Sequence, residues 1–123
     1  MDNFQKKALP IIPNSKFLIR NIYELITIAS LLEKEAPQFY DRQIIAGIIY
    51  KRLEAGIALH IDATITYAKC GGAFLTCADP KVYRKDLNFP SSYNTYLYNG
   101  LPPGPIGNPG LEAIKAALNP IKS

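Results

Sequence analysis

Hydrophobic positions along this chain fall into helical stripes separated by stretches in which proline and glycine break any period. From Asn21, a candidate N-cap, Ile22, Leu25, Ile26, Ala29, Leu32 and Ala36 recur at helical spacing, and Pro37 ends the run. Ile28 and Leu31 fall off that stripe, which predicts burial on more than one side, with Thr27, Ser30 and Lys34 left as a narrow polar strip. A second helix is expected from Asp41 as N-cap through Ile44, Ile45, Ile48, Ile49 and Leu53, closing at Gly56 in a left-handed C-cap. A last helix is expected with Asn108 as N-cap, Pro109 in the first helical position and Leu111, Ile114 and Leu118 as its apolar face, ending at Asn119-Pro120.

The intervening chain is less regular. Residues 57–68 alternate partly and are rich in β-branched side chains, so they fit a strand or a short helix beginning at Asp62. Between Gly71 and Pro90, Gly-Gly, Asp79-Pro80 and Asn88-Phe-Pro punctuate the sequence, which predicts hairpin and loop with short strands at most. Gly100 to Gly110 holds four glycines and four prolines in eleven residues, a density that excludes regular structure. The pattern as a whole predicts an α+β fold, mainly helical, with a small β or loop subregion. Residues 1–20, broken by Pro10 and Pro13, form an N-terminal arm or partial element ahead of a domain over 21–123.

Length and composition narrow the function. The 123 residues suit one domain, and 48% hydrophobic against 20% charged residues excludes a disordered tail. A formal charge of +4 is compatible with an anionic partner, but the scattered basic residues argue against nucleic acid. The apolar run from Ile44 to Tyr50 falls far short of the roughly 20 residues that span a bilayer. Cys70 and Cys77 are open to two states, a small disulfide loop in an oxidising compartment or two thiols in a reducing one. A zinc site would need His60, Asp62 or Asp79 to join them; none is expected.

Candidate chemistry centres on Glu33, seven positions after Ile26 and four after Ala29, hence on the apolar stripe. Hydrocarbon around a carboxyl disfavours its charged form and keeps it protonated for proton transfer. The bland alternative is a carboxylate paired with Arg42, Arg52 or Lys34. Glu35 is carried about 200° further round and cannot share a cleft with Glu33 if the helix persists. The single histidine, His60, has no serine or cysteine nucleophile context, and the prolines among the glycines at 100–110 remove the N–H donors of a phosphate cradle. Ser91 to Gly100 concentrates Tyr93, Tyr96 and Tyr98 beside Asn94, Thr95 and Asn99, aromatic faces and hydrogen-bonding arms that suit sugar rings or, alternatively, an edge packed on the core.

Four segments, Ala29-Ser-Leu-Leu-Glu-Lys-Glu-Ala36, Ile49 to Tyr67, Ser92-Tyr-Asn-Thr-Tyr96 and Gly100-Leu-Pro-Pro-Gly-Pro-Ile-Gly-Asn-Pro-Gly110, closely resemble the YceG-like family of bacterial endolytic murein transglycosylases, the MltG type, over about residues 22–120. The resemblance implies a lysozyme-superfamily catalytic domain that cuts the MurNAc–GlcNAc β-1,4 bond of peptidoglycan and leaves a 1,6-anhydro-MurNAc end. It implies a single essential glutamate within the Glu-Lys-Glu motif, and the stripe selects Glu33, with Glu35 the fallback and Asp62 a candidate orienting or electrostatic partner. Asn94, Thr95 and Tyr96 are then expected as cleft walls, with Tyr93 and Asn108 behind them and His60 at a substrate contact. No cofactor is implied. The partners implied are glycan strands and, beyond them, cell-wall synthesis or division proteins.

The sequence departs from the family where His60-Ile-Asp62-Ala-Thr64 replaces a usual Gln-x-Asp-Pro-Thr and where Ser91-Ser-Tyr replaces Ser-Pro-Tyr. It also lacks the family's membrane anchor, its LysM-like region and a later tyrosine-rich strand. The expectation is therefore a catalytic domain truncated at both ends, from a parent in the inner membrane with this domain on the outer side. Two competing readings are a non-catalytic peptidoglycan-binding or divisome scaffold domain and, from an old family label, an aminodeoxychorismate lyase-like PLP enzyme.

Overall fold

A computed structural model describes residues 22–72 and 77–121. Helices α1 (Ile22–Glu35), α2 (Phe39–Ala55), α3 (Asp62–Lys69) and α4 (Leu111–Leu118) are joined by irregular chain containing a 3-10 turn over Arg84–Asn88. No strand occurs among the described residues, so the β part of the expected fold is not found there. The arm over 1–20 and the N-cap expected at Asn21 lie outside them. The β-branched run at 64–66 is helical because its side chains are buried in α3, and packing outweighs β-propensity.

α1 is the axis of the core. Leu25, Ile28, Ala29, Leu31 and Leu32 are all at 0% exposure, so burial surrounds the helix beyond a single stripe. Thr27 and Ser30, expected on a polar strip, are buried too. The Thr27 hydroxyl donates to the Tyr23 carbonyl at 3.0 Å and the Ser30 hydroxyl to the Thr27 carbonyl at 2.7 Å. Hydroxyls satisfied by their own helix cost little inside hydrocarbon. Ser30 Oγ also accepts the Ile106 N–H at 3.0 Å, which fastens the proline-glycine segment to α1 with Ile106 buried beneath it.

The other helices pack around this axis. α4 presents Ala113, Ile114, Ala116 and Ala117, small side chains for the most part, which let its backbone come close to α1 and α2. The Tyr50 hydroxyl of α2 donates to the Ala117 carbonyl at 2.6 Å, and burial holds that phenol well above its ordinary pKa. Gly56 adopts φ +69° as the expected left-handed C-cap, with Ile57 N–H returning to the Arg52 carbonyl.

Two boundaries differ from expectation. α2 begins at Phe39 with Gln38 as N-cap, which leaves Asp41 inside the first turn, where a negative charge favours the helix N-terminus. α4 begins at Leu111 with Gly110 as N-cap, and Leu111 is exposed rather than part of the apolar face. Cys70 and Cys77 are joined in a disulfide with Cα atoms 5.3 Å apart, which decides between the two states left open by the sequence.

The chain beyond α4 returns to α2. Ile121 N–H donates to the Gln43 carbonyl at 3.0 Å, and Gln43 Nε2 donates to the Asn119 carbonyl at 2.8 Å. Gly47 makes this approach feasible, because a Cβ there would stand 2.0 Å from the Ile121 carbonyl oxygen. Gly47→Ala should therefore displace the C-terminal segment and cost about 1–3 kcal/mol despite the better helix propensity of alanine. Denaturant titration of the two proteins checks this, and an unchanged or raised midpoint would refute it.

Candidate active site

α1 ends in two carboxylates that the helix points in different directions. Glu33 Oε1 accepts the Gly110 N–H at 2.9 Å. Gly110 is the N-cap of α4, and Glu33 takes the N-cap's own N–H from another helix, the bond that a capping-box residue would otherwise make, and brings a negative charge to that helix N-terminus. Glu35 instead lines an open cleft of about 450 Å³, together with Asp62, Ala63 and Thr66 of α3 and Pro80 to Val82 of the following loop. That volume lies within the range of small-ligand pockets.

Glu35 as a residue keeps contact with water, but its carboxyl is crowded. Burial of that carboxyl raises its pKa; the Ala63 backbone N–H bonded to it pulls the other way, and the neighbouring Asp62 charge adds to the rise. Asp62 stands in the first turn of α3 and accepts the Tyr96 hydroxyl on Oδ1 at 2.5 Å. The Tyr96 phenol is pushed up to about 12, first by burial and then by this bond. His60 stacks on Tyr96 with ring centroids 4.6 Å apart and planes 6° from parallel. Its backbone lies at φ +57°, a left-handed conformation uncommon for a residue with a side chain, and its N–H donates to the Thr95 carbonyl at 3.2 Å.

A knot of buried hydroxyls brings these residues together. Thr64 donates to the Ile61 carbonyl at 2.6 Å, the Thr64 and Thr95 hydroxyls meet at 3.0 Å, and Thr95 Oγ1 accepts the Ile61 N–H at 2.8 Å. Asn94, fully buried, holds the same loop from within. Its Nδ2 donates to the Leu87 and Phe89 carbonyls at 3.0 and 2.9 Å, and its Oδ1 accepts the Tyr96 N–H at 2.8 Å.

The expected site residues thus separate. Glu35 and Asp62 line the cleft, Tyr96 is tied to it through its bond to Asp62, and His60 stands one step further out, stacked on Tyr96. Asn94 and Thr95, expected as walls offered to substrate, are buried with their polar atoms used internally, and they position Tyr96. Tyr93 packs on Tyr67 at 4.9 Å, and Asn108 is exposed on the segment leading into α4. Glu33 is turned to Gly110. Sequence patterns single out neither Lys81 nor the Ala63 N–H and name Lys34 only for the polar strip and as a partner for Glu33, although all three belong to the cleft.

The model of the YceG-like family matches residues 1–123. The chain belongs to the YceG-like family. It is 42% identical over 103 residues to the endolytic murein transglycosylase of Bacillus subtilis (strain 168), covering 84% of this chain and 27% of that protein. With the endolytic murein transglycosylase of Streptococcus pneumoniae serotype 2 (strain D39) it shares 41% identity over 104 residues, 83% of this chain and 18% of that one. A solved YceG-like protein from Listeria monocytogenes matches with a TM-score of 0.80 at 38% identity, over 99% of this chain and 37% of that one. The chain therefore spans 18–27% of the length of these two transglycosylases. In this YceG-like chain no helix among the described residues is long and apolar enough to cross a membrane.

Asn94→Asp tests the positioning role. The variant keeps the size of the side chain but cannot donate to both the Leu87 and Phe89 carbonyls, and its carboxylate would be buried against them. Burial should raise the folded-state pKa of the new carboxyl above its unfolded value of about 3.9, so the loss should be mild in acid and deepen as pH rises through and above that value. Unfolding midpoints measured from acid to neutral pH check the sign; a pH-independent difference would refute it.

Proposed function

We propose that this chain is the glycan-cleaving part of an endolytic murein transglycosylase of lysozyme-superfamily type, with Glu35 as its general acid and base. The observation that carries this reading is the setting of Glu35: a carboxyl with a raised pKa, in an open cleft, beside Asp62 and the N-terminus of α3. The names of the relatives supply the substrate, murein. Helical periodicity favours Glu33, but its engagement with Gly110 suits a residue that positions α4.

Glu35 in its protonated form gives its proton to the oxygen leaving MurNAc C1 as the C1–O bond breaks. The sugar becomes oxocarbenium-like, and the Glu35 carboxylate then takes the proton of the MurNAc C6 hydroxyl while O6 bonds to C1. The products are a free GlcNAc O4 hydroxyl and a 1,6-anhydro-MurNAc end. Water is not consumed, so one carboxyl can serve both steps. Asp62, held by Tyr96, faces the positive charge that develops at C1. The His60–Tyr96 pair offers a flat aromatic rim for a pyranose ring. The disulfide suits an oxidising, extracytoplasmic compartment, where murein lies and where a membrane-anchored parent and cell-wall synthesis partners would meet it.

Mass spectrometry of products from purified glycan strands tests the assignment. Glu35→Gln should lower the rate by about 10²- to 10⁴-fold. Glu33→Gln should retain turnover and lose about 1 kcal/mol of stability through α4. The reverse pattern would move the acid to Glu33, and ordinary reducing ends in place of anhydro ends would make the enzyme a hydrolase.

The pH profile offers a second test. Activity should fall on the alkaline side as Glu35 loses its proton. Asp62 raises the Glu35 pKa, so Asp62→Asn, which keeps an acceptor for Tyr96, should move that limb to lower pH. A limb that stays put or moves upward would remove Asp62 from the electrostatics of the acid.

A further inference from the structure

Beside the Glu35 cleft the chain gathers positive charge around one aromatic ring. The ammonium groups of Lys69, Lys81 and Lys85 lie 5.3, 5.5 and 5.8 Å from the centroid of Tyr83. The ring is clamped from two sides, since its hydroxyl donates to Asp79 at 3.3 Å and the Tyr83 N–H donates to Asp86 Oδ2 at 2.9 Å. Lys69 is committed to the fold: its Nζ donates to the same Asp86 oxygen at 2.9 Å and to the Lys81 carbonyl at 2.9 Å. Lys81 and Lys85 differ from it. Both are exposed and outside the Lys69–Asp86 ion pair, although the Lys85 charge still acts on the Asp86 carboxyl.

Bringing three like charges to one ring has an energetic cost, which the cation–π contacts and the Asp79 and Asp86 carboxylates beside the ring offset in part, leaving one positive charge in excess. An anion seated between the ammonium groups would turn that repulsion into attraction. Lys81 belongs to the cluster and to the cleft, so a group bound there is continuous with whatever lies against Glu35. The sugar units of an intact murein strand are neutral, their hydroxyl and N-acetyl groups uncharged. The negative charge of such a strand is carried by free carboxylates of the peptides linked through the lactyl groups of MurNAc.

We propose that Lys81 and Lys85 bind a carboxylate of the murein peptide, so that the cleft prefers strands bearing charged peptides. This inference rests on the murein reading above and names the part of the substrate that the second wall of the cleft recognises. Tyr83 gathers the two ammonium groups, Lys81 from the cleft lining and Lys85 from beside it, and Lys69 with Asp86 holds Tyr83. The long flexible lysine stems suit a carboxylate whose place along the peptide is not rigidly fixed.

The test compares two soluble probes, a GlcNAc–MurNAc disaccharide tetrapeptide with free carboxyl groups and the same molecule with those groups amidated. Titration followed by NMR should show the free form binding about fivefold more tightly at low ionic strength, with the gap closing at high salt. The gap should vanish in Lys81→Ala/Lys85→Ala and survive in Lys81→Arg/Lys85→Arg; both pairs change exposed side chains, and circular dichroism verifies their fold. Equal affinities for the two probes, or a gap that persists in the double alanine variant, would overturn the proposal. Tighter lysine-dependent binding of glycerol phosphate than of the free-carboxyl probe would overturn it in favour of a phosphate polymer. The parent reading fails separately: lysine-dependent binding of the peptide without cleavage of glycan strands removes the transglycosylase and leaves this site, and cleavage indifferent to peptide charge does the reverse.

Discussion

The cleft depends on the buried hydroxyl knot between Ile61, Thr64 and Thr95. α3 is only eight residues long, too short to hold its shape by propensity alone, and its N-cap, Ile61, brings no capping side chain. Thr95, 34 positions away, supplies the acceptor for the Ile61 N–H, and Thr64 closes the turn onto the Ile61 carbonyl. Neither hydroxyl is exposed enough to fall back on water, so leaving either unpaired would carry the full desolvation penalty of a buried polar group. The knot thereby fixes the register between the start of α3 and the loop that carries Tyr96. Asp62, the Ala63 N–H and the stacked rings of His60 and Tyr96 all take their places from that register.

A second constraint is the burial of α1 on nearly every side. A helix packed all round cannot roll, so the angle between its last side chains becomes a fixed angle in the molecule. A single residue, Lys34, separates Glu33 from Glu35, and that is enough to send one carboxylate to the N-terminus of α4 and the other to the cleft. Two acids that look interchangeable in the sequence are thus assigned different electrostatic surroundings. One meets a backbone N–H at a helix terminus. The other also meets a backbone N–H, that of Ala63 at the start of α3, but within a crowded wall and beside a second carboxylate.

What was legible in the sequence follows the same division between local and long-range causes. The body of α1, the end of α2 at Gly56 and the irregular backbone of 100–110 are written in short-range chemistry: helical spacing, a left-handed glycine, proline density. Asn94 and Thr95 were visible as polar residues beside tyrosines, but not as buried ones, because their partners Leu87, Phe89, Ile61 and Thr64 are set by the path of the whole loop. Leu111 misled for a related reason. Its helix begins where Glu33 holds Gly110, a contact spanning 77 positions, and that start leaves Leu111 on the solvent side. Apolar periodicity placed Glu33 on the buried stripe; with α1 buried all round, the stripe does not distinguish between its two terminal carboxylates.

The electrostatics of the cleft contain a conflict whose resolution explains its layout. Burial and the Asp62 charge raise the Glu35 pKa, yet Lys34 and Lys81 line the same cleft, and positive charge near a carboxyl favours its ionised form. The magnitudes decide. Two charges 4 Å apart in water interact by only about 1 kcal/mol, and salt weakens this further beyond about 10 Å. Desolvation acts on the carboxyl itself and is not screened in this way; it is the largest influence on Glu35, with Asp62 reinforcing it and the Ala63 N–H opposing it. Ammonium groups can therefore border the cleft without reversing the rise in the Glu35 pKa, provided they stay in water. The exposed positions of Lys34 and Lys81, against a crowded Glu35 carboxyl, meet that condition, so the cleft combines positive charge at its edge with a carboxyl of raised pKa.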